Sequence, residues 1–496
     1  MRLIVFVLVS VLLTSIPATV TPAAEPSCAT VIDERTFATE AQLRRLNATI
    51  AGFGARTTAS PAHRRMVDWL DRQVRRMPGV TTRSETFRIR RWLPAHGDLA
   101  SAGSLSVAGQ RVPVAGAIPY TRPTLGGSGE LAYLPTGPIT AANARGKIVI
   151  RDFPAVDRGY LAETALNEDL VAAGLAGAAG VIIAFDLPRA QVSGYHDPHT
   201  GTHYRVPGVF VGVDEAVRLK ESAGTRARIA VLARTDRATT RSVIATLPGR
   251  SAERIVFDAN TDGNTWVQEN ANAALLALAR YFSGLPMACR PRTFEFVFAT
   301  GHLHRPAEGT EFHARALDAD YDAGTVAFAF AVEHLGTREY LPGPRSTGPG
   351  RELVLSGQSE FAGWFAGSPR LAAAATAAIA RHGLDRVFVL PGTDPPNPAR
   401  VPPQCSFGGL GTHFHSHLVP TMAMISGPWS LWAPSFGEEA VDFARMRRQA
   451  LAAGDAAVEL SSVPRAEIAG PYLGYRQARA AGATTCPHDL PPEEAP

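Results

Sequence analysis

Six of the chain's 14 histidines fall in three short segments, and acidic residues accompany them. Gly301-His302-Leu303-His304 follows the apolar run FEFVFAT, and Glu333-His334 follows VAFAFAV. His413, His415 and His417 alternate in THFHSH, while Asn260-Thr261-Asp262 closes a further run, RIVFDA. Imidazoles and carboxylates in such places suit general acid–base catalysis and the ligation of a divalent metal. In open α/β sheets, ligands bind beyond the carboxyl ends of the strands. If the apolar runs are strands, their polar ends predict one shared pocket. In an extended THFHSH loop, alternation would put its three imidazoles on one side.

The segments around these residues read as an α/β domain. VIATLPG, RIVFDA, FEFVFATG, TVAFAFAVEHLG and VPTMAMISG are continuously apolar, as strands covered on both faces must be. Between them, NANAALLALARYFSG and residues 369–383 have helical spacing. A mixed, mostly parallel sheet with helices on both faces is the expectation for 241–475. Residues 25–85 read as helical, with Ser60-Pro61 as a helix start in SPAHRRMVDWL. Residues 86–240 differ: short alternating runs broken by Gly and Pro mark an inserted β-rich module with one helix near 163–180. In that module, His196, His199 and His203 sit among Gly, Asp and Pro, so an exposed loop is expected there. Residues 476–496 read as a C-terminal tail.

The start and the composition bound the class. Met1-Arg2 precedes the apolar run LIVFVLVSVLLTSI and small residues at Ala18 and Ala23-Ala24, the pattern of a signal peptide removed near residue 24. The run is short for a permanent anchor, and no other segment has the length of apolar sequence needed to span a bilayer. Export favours disulfides among Cys28, Cys289, Cys405 and Cys486, with Cys28–Cys486 and Cys289–Cys405 as the expected pairs. The chain has 496 residues and a net charge of +4, with 45% hydrophobic residues, which excludes wholesale disorder. Its basic residues are scattered, so no nucleic-acid partner is expected. Asn47-Ala48-Thr49 matches a glycosylation acceptor.

Taken in order, FGARTTASPAHRRMVDWL, VIATLPG, NAALLALAR, TFEFVFATG, AVEHLG and VPTMAMISG resemble the secreted zinc aminopeptidases. These are exopeptidases with two co-catalytic zinc ions, and many carry an inserted protease-associated domain, to which residues 86–240 with VPGVFVG are similar. The resemblance implies an aminopeptidase-like α/β core and a peptide or peptide-like substrate. It places Asn260 where the first histidine ligand stands, with Asp262 as that ligand's orienting partner. It puts Glu269 at the bridging carboxylate, His302 at the catalytic base, Leu303 at a ligand, and Glu333 at a later carboxylate ligand. His413 or His415 would be the last histidine. A leucine cannot ligate a cation and an amide is a poor zinc ligand, so one zinc ion is expected rather than two. Its ligands would come from Glu269, Glu333, His302 or His304, and His413 or His415. His302 or Glu333 would handle the proton, and Asn260, Asp262 and His334 would orient the ligands.

Three functions are consistent with this reading. The first is a secreted hydrolase of peptides or related amides with an altered, incomplete dinuclear metal site. The second is a catalytically inactive relative whose cleft binds a peptide or glycan. The third is a metal-free hydrolase of another kind, although no Gly-x-Ser-x-Gly turn is present.

Overall fold

The computed structural model describes residue 1 and residues 28–155, 163–197 and 201–496. His199 and all but the first residue of the expected leader lie outside the described residues. Among those described, no helix is long and apolar enough to cross a membrane.

An eight-stranded mixed sheet forms the core, in the spatial order Thr81–Pro94, Ala233–Leu247, Arg292–Ala299, Ser251–Asn260, Val326–Val332, Thr421–Ser426, Ala362–Ala366 and Val387–Leu390. The four central strands, Arg292–Ala299 to Thr421–Ser426, run parallel to one another. An antiparallel strand flanks them on each side. Every residue of Arg292–Ala299 and Val326–Val332 is buried, because helices cover both faces of the sheet. On one face Phe257 stacks on its register partners Phe296 and Phe330, and Phe330 stacks on Trp364. The helices Ala271–Gly284 and Phe443–Leu460 bury this aromatic row. The opposite face carries Val256, Val297, Ala329 and Ala423 and packs on the helices Gly309–Asp322 and Gly411–Ser416. Small residues on this second face let those helices approach closely. The chain is therefore an α/β protein of the expected kind.

A second eight-stranded sheet is built from strands between Gly103 and Val231 and has an apolar core of its own. The link to the first sheet differs from the sequence expectation. VIATLPG is not a separate strand but the end of a 15-residue strand, Ala233–Leu247, paired along its length with Thr81–Pro94. Only Val243–Leu247 continues the pairing into the central sheet. The remainder is a two-stranded ribbon whose polar, alternating residues reflect one solvated face.

The long segment between the helix Pro369–Arg381 and the strand Thr421–Ser426 holds the strand Val387–Leu390 and a short helix. Ser60 caps the helix Pro61–Arg75 by accepting the His63 N–H at 3.1 Å, as its sequence predicts.

Two further expectations are corrected. The disulfides are Cys28–Cys289 and Cys405–Cys486. The N-terminal segment lies against the end of the helix Ala271–Gly284, and the C-terminal segment returns to the loop before THFHSH, pairing Thr485 with Val401. The glycosylation match at Asn47 is a buried side chain that donates to the Trp266 carbonyl at 2.9 Å, so it offers no accessible acceptor.

Replacing Cys28 by Ser removes a cross-link between residues 261 positions apart. A loss of about 2–5 kcal/mol is expected, measured as a lower urea midpoint of unfolding.

Candidate functional site

The parallel strands deliver their polar ends to one region, and the N-terminal segment closes it from the side. Arg56 pairs its backbone with Gly263 (N–H to O at 2.8 Å, and 3.2 Å in return), which brings residues 56–63 against the loop after Ser251–Asn260. There the Asp262 carboxylate accepts the Thr58 hydroxyl at 2.5 Å and the backbone N–H groups of His302 and Leu303 at 3.2 and 2.8 Å. Asp262 thus fixes the loop that carries His302. Asn260 donates to the Asp262 carbonyl at 3.1 Å, and the neighbouring Thr261 hydroxyl meets Nε2 of the fully buried His63 at 2.8 Å.

Glu269, expected at the bridging position, is held by an arginine. Arg56 Nε and Nη2 reach its two carboxylate oxygens at 2.7 and 2.9 Å, with both side chains at most 1% exposed. Arg56 also donates to the Thr265 carbonyl at 2.8 Å. Gly263 makes this possible, since a Cβ there would lie 2.3 Å from the Glu269 carboxyl carbon. The guanidinium engages both carboxylate oxygens, so a metal at Glu269 would have to compete with a buried ion pair.

On the far side, two carboxylates and three imidazoles form a network. His302 Nδ1 lies 3.2 Å from Glu308 Oε1, and His413 Nε2 lies 3.4 Å from the same oxygen. His413 Nδ1 and His417 Nε2 reach the Glu311 oxygens at 3.0 and 2.8 Å. Burial disfavours charge on His413, but Glu308 and Glu311 outweigh it and raise its pKa to about 9. His302 is raised in the same way by Glu308. Burial pushes the other way on Glu311, but its hydrogen bonds to His413 and His417 bring its pKa down to about 2. Glu308 lies well below its usual range, because His413 and Arg305 overcome its burial. Both glutamates sit at the start of the helix Gly309–Asp322, where the macrodipole also favours negative charge. AEGTEFH carries them at a three-residue spacing, the signal that the sequence reading passed over.

Glu333 is a further buried acid that faces this network. Its Oε1 accepts the Leu410 N–H at 2.8 Å, and Oε2 is buried without a partner. Burial raises its pKa to about 7, against the pull of His302. Gly409 allows the approach, as a Cβ there would lie 2.3 Å from Glu333 Oε1. Asp258, which the sequence reading also missed, is buried and likewise raised to about 7, with one oxygen accepting Thr310 at 2.9 Å. His334 adopts φ 54°, donates Nδ1–H to the Ser426 carbonyl at 2.7 Å, and leaves Nε2 buried and unpartnered. Its burial lowers its pKa to about 3, so the ring is neutral.

Two expected metal ligands lie elsewhere. THFHSH is helical, not extended: Gly411–Ser416 is a short helix, so His413 and His417 share a face while His415 points away. His415 stacks on Phe407 and bonds Tyr472 Oη at 2.6 Å and the Gln404 carbonyl at 2.9 Å. His304 faces the second sheet, packed against Tyr120 and His203. His196 and His203 are buried there, contrary to the exposed loop expected for them. Both nitrogens of His196 are unpartnered, and burial lowers its pKa to about 3.

These placements do not suit the zinc that the sequence resemblance implies. Glu269 is bound by arginine, Leu303 is apolar, His304 and His415 are turned away, and the imidazoles of His302 and His413 are engaged by glutamates. Among the described residues, no group of three or more His, Cys, Asp or Glu is arranged to hold a metal ion.

No family model matches the chain, and no curated protein matches it. Solved structures do. BSAP, a zinc aminopeptidase from Bacillus subtilis, is similar with a TM-score of 0.63 and 16% identity over 86% of this chain and 97% of that one. An aminopeptidase from Aneurinibacillus sp. strain AM-1 gives a TM-score of 0.57 and 17% identity, over 84% and 93% of the two chains. A peptidase M28 precursor from Shewanella amazonensis SB2B gives a TM-score of 0.57 and 15% identity, over 92% of this chain and all of its own. The chain has an aminopeptidase-like fold.

Two outcomes follow from the site. Arg56→Met strands the Glu269 charge and is expected to cost about 3–5 kcal/mol in denaturant unfolding, most of it recovered when Glu269→Leu is added. The network also sets a pH window. The contribution of Glu311, with a folded pKa of about 2, is complete above its ordinary 4.5 and lost as pH falls toward 2. That of His413 is complete below 6.5 and lost as pH rises through about 9. Unfolding free energy measured across pH should decline on both sides, and His413→Gln should flatten the alkaline side and also weaken the acid side, because Glu311 and Glu308 lose an imidazole that holds them ionised.

Proposed function

We propose that this chain is a secreted peptide-binding protein that keeps an aminopeptidase-type scaffold without two-metal hydrolysis. The observation that carries this reading is the buried Arg56–Glu269 pair, in which a side-chain cation holds a carboxylate that a metal would need. The Leu303 side chain, fully buried beside it, adds a seat that cannot ligate. The strand ends keep polar atoms for a ligand: Glu333 Oε2, His334 Nε2 and Asn260 Oδ1 are buried and unpartnered. A peptide's backbone N–H and C=O groups would satisfy them, and unpaired buried groups of this kind are costly without a partner. His302 and His413, with side chains 11% and 14% exposed, form the accessible edge of the cluster. Residues 86–240, similar in sequence to a protease-associated domain, reach the site through Tyr120, which packs on His304. The apolar N-terminal run and the two disulfides support export.

One observation favours a second reading, metal-free amide hydrolysis. A buried carboxyl with a pKa of about 7 and a free oxygen, set near His302, is suited to proton transfer. In that case Glu333 would take the proton of the attacking water and pass it to the departing amine as the amide C–N bond breaks, with His302 placed to donate to the carbonyl oxygen.

The test uses the chain purified from culture medium. Metal analysis is expected to find less than stoichiometric zinc, and a chelator to change no peptidase activity. A mixture of short peptides should yield a bound species whose affinity falls in Glu333→Ala. Stoichiometric zinc with chelator-sensitive cleavage, both lost in His413→Ala, would overturn the proposal. Chelator-insensitive cleavage abolished by Glu333→Gln would select the second reading.

A further inference from the structure

Away from the strand ends, a groove of about 910 Å³ lies along the projecting ribbon of Thr81–Pro94 and Ala233–Leu247. Five arginines line it against two carboxylates: Arg64 from the helix Pro61–Arg75, Arg88, Arg90 and Arg91 from one strand, and Arg237 from the other, with Asp236 and Glu493. Arg91 is committed to Asp236 by two bonds of 2.9 and 2.7 Å. Arg90 pairs with Glu494. Arg64, Arg88 and Arg237 are exposed, and among the described residues no hydrogen bond or ion pair engages their guanidinium groups. Register sharpens the anomaly. Arg237 stands directly opposite Arg90, and Arg88 lies two residues along the same strand face. Like charges placed opposite one another across a ribbon repel, and only one of this opposed pair has a counter-charge. Asp236 feels the same field: Arg91 first, then Arg234 and Arg64, hold its carboxyl below the usual range.

The chain itself shows how an anion docks here. Its acidic C-terminal segment crosses the end of the ribbon with Glu493 at the groove. The Glu493 carboxylate accepts the Arg90 backbone N–H at 2.5 Å, and the segment pairs with His203 through two backbone bonds of 2.9 and 2.8 Å. Ile89 and Ala238 supply apolar wall between the charges. We propose that this groove is a second binding site, taking an acidic, extended peptide segment of another protein whose carboxylates meet Arg64, Arg88 and Arg237. The surface is separate from the strand-end cleft and stands whatever that cleft binds. A peptide is favoured over other polyanions because the docked tail already uses backbone pairing and carboxylates together.

Fluorescence anisotropy of labelled Glu/Ser, Gly/Ser and Lys/Ser peptides with the full chain tests this. The acidic peptide alone should bind, more weakly as salt rises. The Arg64→Gln/Arg88→Gln/Arg237→Gln variant, checked for an unchanged thermal transition, should bind it about tenfold more weakly. Glu493→Gln/Glu494→Gln should bind it more tightly, since it removes the chain's own competing acids. Equal binding of acidic and neutral peptides, or a folded triple variant that binds like the parent, would overturn the proposal. So would arginine-dependent binding of polyphosphate or heparin with none of the acidic peptide.

Discussion

Arg56 holds both oxygens of Glu269 where the N-terminal segment meets the ends of the parallel strands, and neither side chain sees solvent. A carboxylate taken out of water is strongly destabilising unless a cation accompanies it. Here the cation arrives on the polypeptide, fixed by the Arg56–Gly263 backbone pair and by the absence of a side chain at Gly263. The rest of the site depends on this arrangement. With its charge balanced internally, the Glu269 carboxylate can be buried, and the nearby loop is held by Asp262 accepting the Leu303 N–H.

The same principle governs the other half of the cluster. Glu308 and Glu311 are buried as anions because His302, His413 and His417 surround them. Of these imidazoles, His413 is raised to about 9, so its ring is held as a protonated donor between the two glutamates. Glu333 and Asp258 escape full neutralisation, and their carboxyls are pushed toward neutrality instead. The unpaired atoms left behind, on Glu333, His334 and Asn260, lie together at the strand ends. In a fold similar to zinc aminopeptidases, the polar centre is built here from ion pairs and hydrogen bonds among the chain's own side chains.

The second sheet and the tail complete the surroundings. Tyr120 and His203 press against His304, His196 packs on Tyr120, and the C-terminal segment is stitched to His203 and Arg90. Residues far apart in sequence thus form one wall over the strand ends. The ribbon that links the two sheets leaves its arginines on the outside, where the acidic tail engages only some of them.

Much of this was legible in the sequence, for local reasons. Apolar runs such as VAFAFAV can only be strands buried on both faces, Ser60-Pro61 can only start a helix well, and polar residues after each run had to lie at the sheet's carboxyl edge. Leu303 alone was enough to question a two-metal site. What the sequence did not determine was which groups pair. Arg56 and Glu269 are 213 residues apart, and nothing local to either records the other. THFHSH alternates as a strand would, yet its short helix sends His415 to Tyr472 and His413 to Glu311, because a helical turn and not a pleat sets the direction of each ring. Partner choice for a buried charge is decided by whatever the folded chain brings within hydrogen-bond distance, and only tertiary structure fixes that distance.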